Sequence, residues 1–153
     1  MTGILILRLA LAAGLGTLIG VERAYRAKTA GTRTHCLVAV GCALFMIVSQ
    51  YGFADMPEGP GLHAADPARV AAQIVSGIGF LGAGTIIMQK HVIHGLTTAA
   101  GMWVAAGIGM ASAAGLYWVA VAATVLCLLG LELFGRLNRI IRRFGGKEPE
   151  NAG

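Results

Sequence analysis

The sequence predicts an all-α membrane protein, a bundle of about five transmembrane helices held together by close glycine packing. Two observations carry this prediction. Of 153 residues, 56% are hydrophobic and only 12% are charged, with a mean hydropathy of +0.73, whereas soluble domains carry charges at about 25%. Apolar runs of roughly 17 to 19 residues also recur along the chain, each long enough to cross a hydrocarbon core of about 30 Å as a helix.

The runs fall at 4–21, 36–53, 70–88, 96–112 and 116–134, giving a transmembrane domain over 1–135 and a basic tail over 136–153. The first run has the position of a secretory signal, but no small-residue cleavage site precedes a polar chain, and "GVERAYRAK" follows it. It is therefore expected to be a retained helix. Its early Arg8 is expected to snorkel to outer headgroups. The second run follows a loop with Glu22, Arg23, Arg26, Lys28 and Arg33, and the third follows a loop with Asp55, Glu58, Asp66 and Arg69. Asp66 before Pro67 reads as the N-cap of the third helix, with Arg69 in its first turn. Lys90 lies in the next connection, and Arg136, Arg139, Arg142, Arg143 and Lys147 follow the last run. Every basic cluster then falls on one side, which predicts an N-out, C-in arrangement. A four-span alternative would merge 96–134, too long for one crossing.

The third run contains "GIGFLGAG", a literal G-x-G-x-x-G at Gly77, Gly79 and Gly82. A dinucleotide site needs a preceding strand and an acidic residue about 20 positions on. No Asp or Glu occurs from Pro67 through Leu131, and the run opens with a helix cap. These glycines, with Gly84, are instead expected to let helices approach closely, or else to break the helix around a cavity. Ala12, Gly16 and Gly20 repeat the device in the first run, and Ala105, Gly109 and Ala113 in the fourth. The third span is expected to be central. A faint repeat aligns Gly31, Thr34 and Val40 with Gly95, Thr98 and Val104.

The loop after the first run is the richest candidate site. Glu22 lies where an ionised carboxylate is costly unless paired, and Arg23, Arg26, Arg33 and Thr34 are close in sequence. Either this is a structural charge cluster, or Glu22 is a proton or cation ligand or one pole of a partner-binding surface. Thr32 and Thr34 open the second span and Thr97 and Thr98 the fourth, where hydroxyls can cap free N–H groups. With Lys90 nearby, Arg33, Thr97 and Thr98 form a candidate anion site for a lipid or nucleotide phosphate.

Other features argue for little chemistry. Asp55, Glu58 and Asp66 could meet Mg²⁺ but fit a loop obeying charge asymmetry. His91 and His94 make a weak metal signal, so no metal ligand is assigned, and no cofactor. Cys36, Cys42 and Cys127 form no C-x-x-C pair and read as reduced apolar fillers. The histidines are expected in loops, no nucleophile has a base, and no enzyme is expected. Trp103 is expected to anchor packing, while Tyr117 and Trp118 suit an outer aromatic belt. Glu132 and Arg136 should pair on one helical face, and "RLNRIIRRFGG" should continue amphipathically towards a disordered "KEPENAG" end. The net charge of +5 borders membrane spans and is not interleaved with recognition modules. Anionic inner-leaflet lipids are the expected partners, and nucleic acid is not.

"GVERAYRAKTAGTRTHCLVAVG", "DPARVAAQIVSGIGFLGAGTII" and "HGLTTAAGMWVAAGIGMASAAGLY", in this order, resemble the MgtC/SapB family of bacterial inner-membrane proteins. The resemblance implies a multi-pass inner-membrane protein linked to adaptation to low magnesium and, in pathogens, to virulence and intracellular survival. It also implies a regulator binding another membrane protein, and a short form lacking the soluble C-terminal domain of many members. The alternatives are a magnesium or proton-coupled ion transporter and an oligomeric membrane scaffold built on the small-residue faces.

Overall fold

A computed structural model describes residues 1–53, 66–89 and 91–144. Five helices form, α1 Thr2–Tyr25, α2 Thr32–Tyr51, α3 Pro67–Gly84, α4 Leu96–Ala113 and α5 Tyr117–Phe144, with a hairpin of β1 Ile87–Gln89 and β2 Val92–His94 between α3 and α4. Thus α4 and α5 are separate, and the merged alternative is excluded. The apolar run at 70–88 is not one helix: α3 starts at Pro67 and stops at Gly84, where the Thr85 hydroxyl donates to the Gly82 carbonyl at 2.8 Å. The β-branched residues beyond it favour extended backbone, and Ile87 pairs with His94 and Gln89 with Val92. Gly95 closes the hairpin at φ +92°, where a Cβ would collide with the Thr85 carbonyl.

The helix starts divide by mechanism. Asp66 caps α3 as expected, accepting from the Ala68 N–H at 2.9 Å with Pro67 in the first turn, while the Arg69 side chain is exposed. The threonine caps are corrected: α2 and α4 begin after Gly31 and Gly95, and neither helix start has a side-chain cap bond.

Four helical segments, α1, α2, α4 and Tyr117–Leu137 of α5, are long and apolar enough to cross a membrane. In α3, Arg69 and Gln73 in the first two turns dilute the apolar run. Its 18 residues nevertheless reach about 27 Å, and the packing carries it from one face of the bundle to the other. Tyr51 at the end of α2 meets Arg8 near the start of α1, and Ala113 and Tyr117 meet the same side chain. Thr97 at the start of α4 instead lines a cavity with Arg23 and Arg26 at the opposite end. The chain leaves α2 on the Arg8 face and enters α4 on the other, and Gly82 near the end of α3 packs on Ala99 of α4. All five helices therefore traverse the bundle, and α1 begins on the face opposite the end of α5.

Close packing rests on the expected Gly16, Gly20 and Gly109, and not on most of the glycines of α3. A Cβ at Gly16 would lie 2.7 Å from that of Ala39, and one at Gly20 would lie 2.6 Å from the Thr32 Cα. Gly109 of α4 presses on the Ala39 carbonyl from the other side, so the fully buried Ala39 is clasped between α1 and α4. Gly77, Gly79 and Gly84 have open space where a Cβ would be. The helix at the centre is α4, which touches all four others, not α3. The core falls in separate clusters around it, with Ala12, Ala43, Ile47 and Ala113 at the Arg8 end and Ile19, Ile108 and Ala120 further along. Ile78 is the point where α3 joins, against Cys42 and Ala106. Trp103 is 55% exposed and faces away from this core, contrary to the expected anchor. The buried hydroxyls of Ser112 and Thr124 donate to the carbonyls four residues back, which satisfies them without a partner helix.

Candidate functional site

The end of the bundle holding the α1–α2 turn carries a chain of alternating charges. Arg23 lies one residue after Glu22 and grips both carboxylate oxygens, with Nε donating to Oε2 at 2.5 Å and Nη2 to Oε1 at 2.9 Å. Arg26, one helical turn on, brings its Nε within 2.5 Å of Oε1. The same guanidinium then reaches across to α5 and donates from Nη2 to Glu132 Oε2. Arg136 closes the chain from the next turn of α5, with Nε 2.5 Å from Glu132 Oε1. The expected Glu132–Arg136 pair is therefore present, and the link from Arg26 ties the two ends of the chain together. The Glu132 hydrogen bond, opposed by burial, holds the Arg26 guanidinium above its ordinary pKa, so it stays charged in this position.

Arg23 is 2% exposed. A cation so deeply buried needs its counterion, which explains why Glu22 sits where it does. His35, on the first turn of α2, is fully buried beside this cluster, so it is not a loop residue. Its Nδ1 donates to the Gly31 carbonyl at 3.0 Å, and its Nε2 finds no partner. Gly101 of α4 makes room for the ring: a Cβ there would lie 3.3 Å from Nε2.

The proposed anion-site residues are not brought together. Arg33 is exposed and Thr34 half-buried, Thr98 is buried, and Thr97 lines a cavity of about 600 Å³ that Arg33 does not border. The cations on that cavity are Arg23, Arg26 and Lys28, and its apolar wall includes Val104 of α4 with Leu126, Leu131 and Phe134 of α5. Asp55, Glu58 and Lys90 lie outside the described residues, as does the 145–153 end. His91 lies in the hairpin turn and His94 ends β2, opposite Ile87, and among the described residues no group of three His, Cys, Asp or Glu side chains could hold a metal ion. The three cysteines are free.

Arg8 forms a second polar cluster at the opposite end. Its Nε donates to the Tyr117 hydroxyl at 3.1 Å, and its Nη1 to the Tyr51 hydroxyl at 2.9 Å and the Ala113 carbonyl at 2.7 Å. The guanidinium carbon also lies 5.9 Å and 6.0 Å from the two ring centroids. This side chain ties α1 to three other helices, α2, α4 and α5, which corrects the expectation that it snorkels to headgroups.

The sequence pattern of the MgtC family matches residues 9–140. The chain belongs to the MgtC family. It is 51% identical over 140 residues to YhiD of Escherichia coli K12, a protein described provisionally as a magnesium transporter. It is 47% identical over 139 residues to MgtC of Salmonella typhimurium, and 42% over 137 residues to an uncharacterized protein of Haemophilus influenzae. These alignments cover 90%, 88% and 89% of this chain but only 64%, 56% and 58% of the relatives. The chain thus spans less than two thirds of the length of the relatives it matches. No solved structure matches it. Family membership and the apolar helices identify a multi-pass protein of the bacterial inner membrane.

Proposed function

We propose that this MgtC-family chain serves adaptation to low magnesium as a regulator that binds another membrane protein, and does not itself move Mg²⁺. The observation that carries this reading is the state of its two membrane-end carboxylates. Glu22 is held by Arg23 and Arg26, and Glu132 by Arg26 and Arg136. Mg²⁺ demands near-octahedral oxygen ligation and gives up its water reluctantly. The guanidiniums flanking each carboxylate repel a dication, and both oxygens of each carboxylate are already engaged by one. The spanning surface in contrast offers open small-residue positions, Gly77, Gly79 and Gly84 on α3, where a partner helix can approach without displacing a side chain.

The reading extends to virulence and intracellular survival only through the family resemblance, and it needs no catalytic step. A transporter is the second reading, favoured by the description of YhiD. A photocrosslinking residue placed at position 84, on the helical face that Gly77 shares, in cells grown at low Mg²⁺, tests partner binding. The expected product joins this chain to a different membrane protein, is lost with Gly77→Leu, and disappears together with the growth advantage at low Mg²⁺. Crosslinks between copies of this chain alone would replace the regulator with an oligomeric scaffold. Positions 16 and 109 do not serve this purpose, because both are filled by packing within the chain.

A further inference from the structure

The cavity beside the ion-pair chain has two unlike ends. Lys28 and Thr97 are exposed at its rim, beside Arg23 and Arg26. Its wall runs along the spanning part of α5, where Leu126 is 68% and Phe134 63% exposed. Exposed apolar side chains on a spanning helix meet lipid, so the cavity opens sideways to the bilayer as well as to the charged end.

Charge at the rim is unbalanced. Arg23, Arg26 and Lys28 border the cavity, and among the described residues the carboxylates paired with them are two, Glu22 and Glu132, the second shared with Arg136. Lys28 has no carboxylate partner among the described residues. Arg23 spends two of the five donors a guanidinium carries on Glu22. The first turn of α4 adds backbone N–H groups that no side chain caps, and Thr97 of that turn borders the cavity. A basic recess between membrane helices, apolar below and cationic above, suits the headgroup of an anionic lipid.

We propose that this cavity is a binding site for one anionic phospholipid, with its phosphate among Arg26, Lys28 and Thr97 and an acyl chain along Leu126, Leu131 and Phe134. A free phosphate would satisfy the rim but leave the apolar wall uncovered, whereas a lipid covers both. The floor has room for a chain because Gly130 lines it, and a Cβ there meets only the Phe134 ring, at 4.0 Å. A larger side chain at this position would occupy the cavity without colliding with backbone. The site goes beyond the regulatory reading and stands or falls independently of it.

Native mass spectrometry of the detergent-purified protein tests it, with phosphatidylglycerol, phosphatidylcholine of the same acyl chains, and inorganic phosphate as probes. The wild type should retain one phosphatidylglycerol and release phosphatidylcholine. Lys28→Gln should lower that retention about fivefold, and Gly130→Leu should abolish it. Lys28 is exposed and, among the described residues, its side chain makes no hydrogen bond or ion pair, so its variant reports on binding even if Gly130→Leu folds poorly. Equal retention of both lipids, or phosphatidylglycerol unaffected by Lys28→Gln, would overturn the proposal. So would phosphate binding that displaces the lipid and survives Gly130→Leu, because the site would then be for a free anion.

Discussion

At the scale of single residues, the account turns on Glu22 as a counterion. Arg23 is buried almost completely and bound bidentately to it. Removing one partner of such a pair leaves a charge without compensation, and is more damaging than removing both. Glu22→Gln should therefore destabilise the protein by about 2 kcal/mol, moderated by the partial exposure of the carboxylate. Glu22→Gln combined with Arg23→Met should recover much of that loss, as read by thermal unfolding in detergent across the double-mutant cycle. Additive losses would mean that the pair is not coupled. The local half of this network was legible in the sequence, because Glu22 with Arg26 and Glu132 with Arg136 stand four residues apart on helices. Its other half was not: Arg26 and Glu132 are separated by 106 positions, and Arg8 meets Tyr51 and Tyr117 only through the bundle. His35 was missed because one histidine at a helix start reads as polar loop. Only the packed structure shows it enclosed beside Gly101.

At the scale of elements, composition located the helices and could not rank their interfaces. Glycine marks where close approach is possible, but a partner on the far side is a tertiary fact. The densest glycine run, in α3, lies mostly open, while Gly16, Gly20 and Gly109 clasp the bundle. Two classes of substitution should separate accordingly. Gly109→Ala should cost about 1–3 kcal/mol, as overpacking against the Ala39 carbonyl. Gly79→Ala should be neutral or stabilising by up to about 1 kcal/mol, since alanine is the better helix former. Melting in detergent distinguishes them, and equal effects at the two positions would contradict the packing described here. The β1–β2 hairpin escaped the sequence because an apolar run that is β-branched reads as a continued span when only hydropathy is followed. The repeat was seen in part: Gly31 and Gly95 both stand immediately before helices, though their backbone conformations differ.

At the scale of the whole molecule, five traversing helices bring three kinds of chemistry to separate places. Arg8 and two tyrosines tie helices at one face, the ion-pair chain closes the other, and the cavity beside that chain has a cationic rim and an apolar wall. The sequence reached the five helices and the family, because these depend on long apolar runs and short motifs. Of the candidate anion-site residues it reached Thr97, which borders the cavity, but not Lys28, which does so where Arg33 does not. The arrangement makes its carboxylates part of a lock between α1 and α5, which leaves them unsuited to passing a dication. Mg²⁺ flux into proteoliposomes, with proton flux recorded in parallel, tests this most directly for the wild type and Glu22→Gln. No flux above that of empty liposomes is expected from either folded protein. Mg²⁺ entry through the wild type that is lost in Glu22→Gln would contradict the account and make this carboxylate a transport ligand.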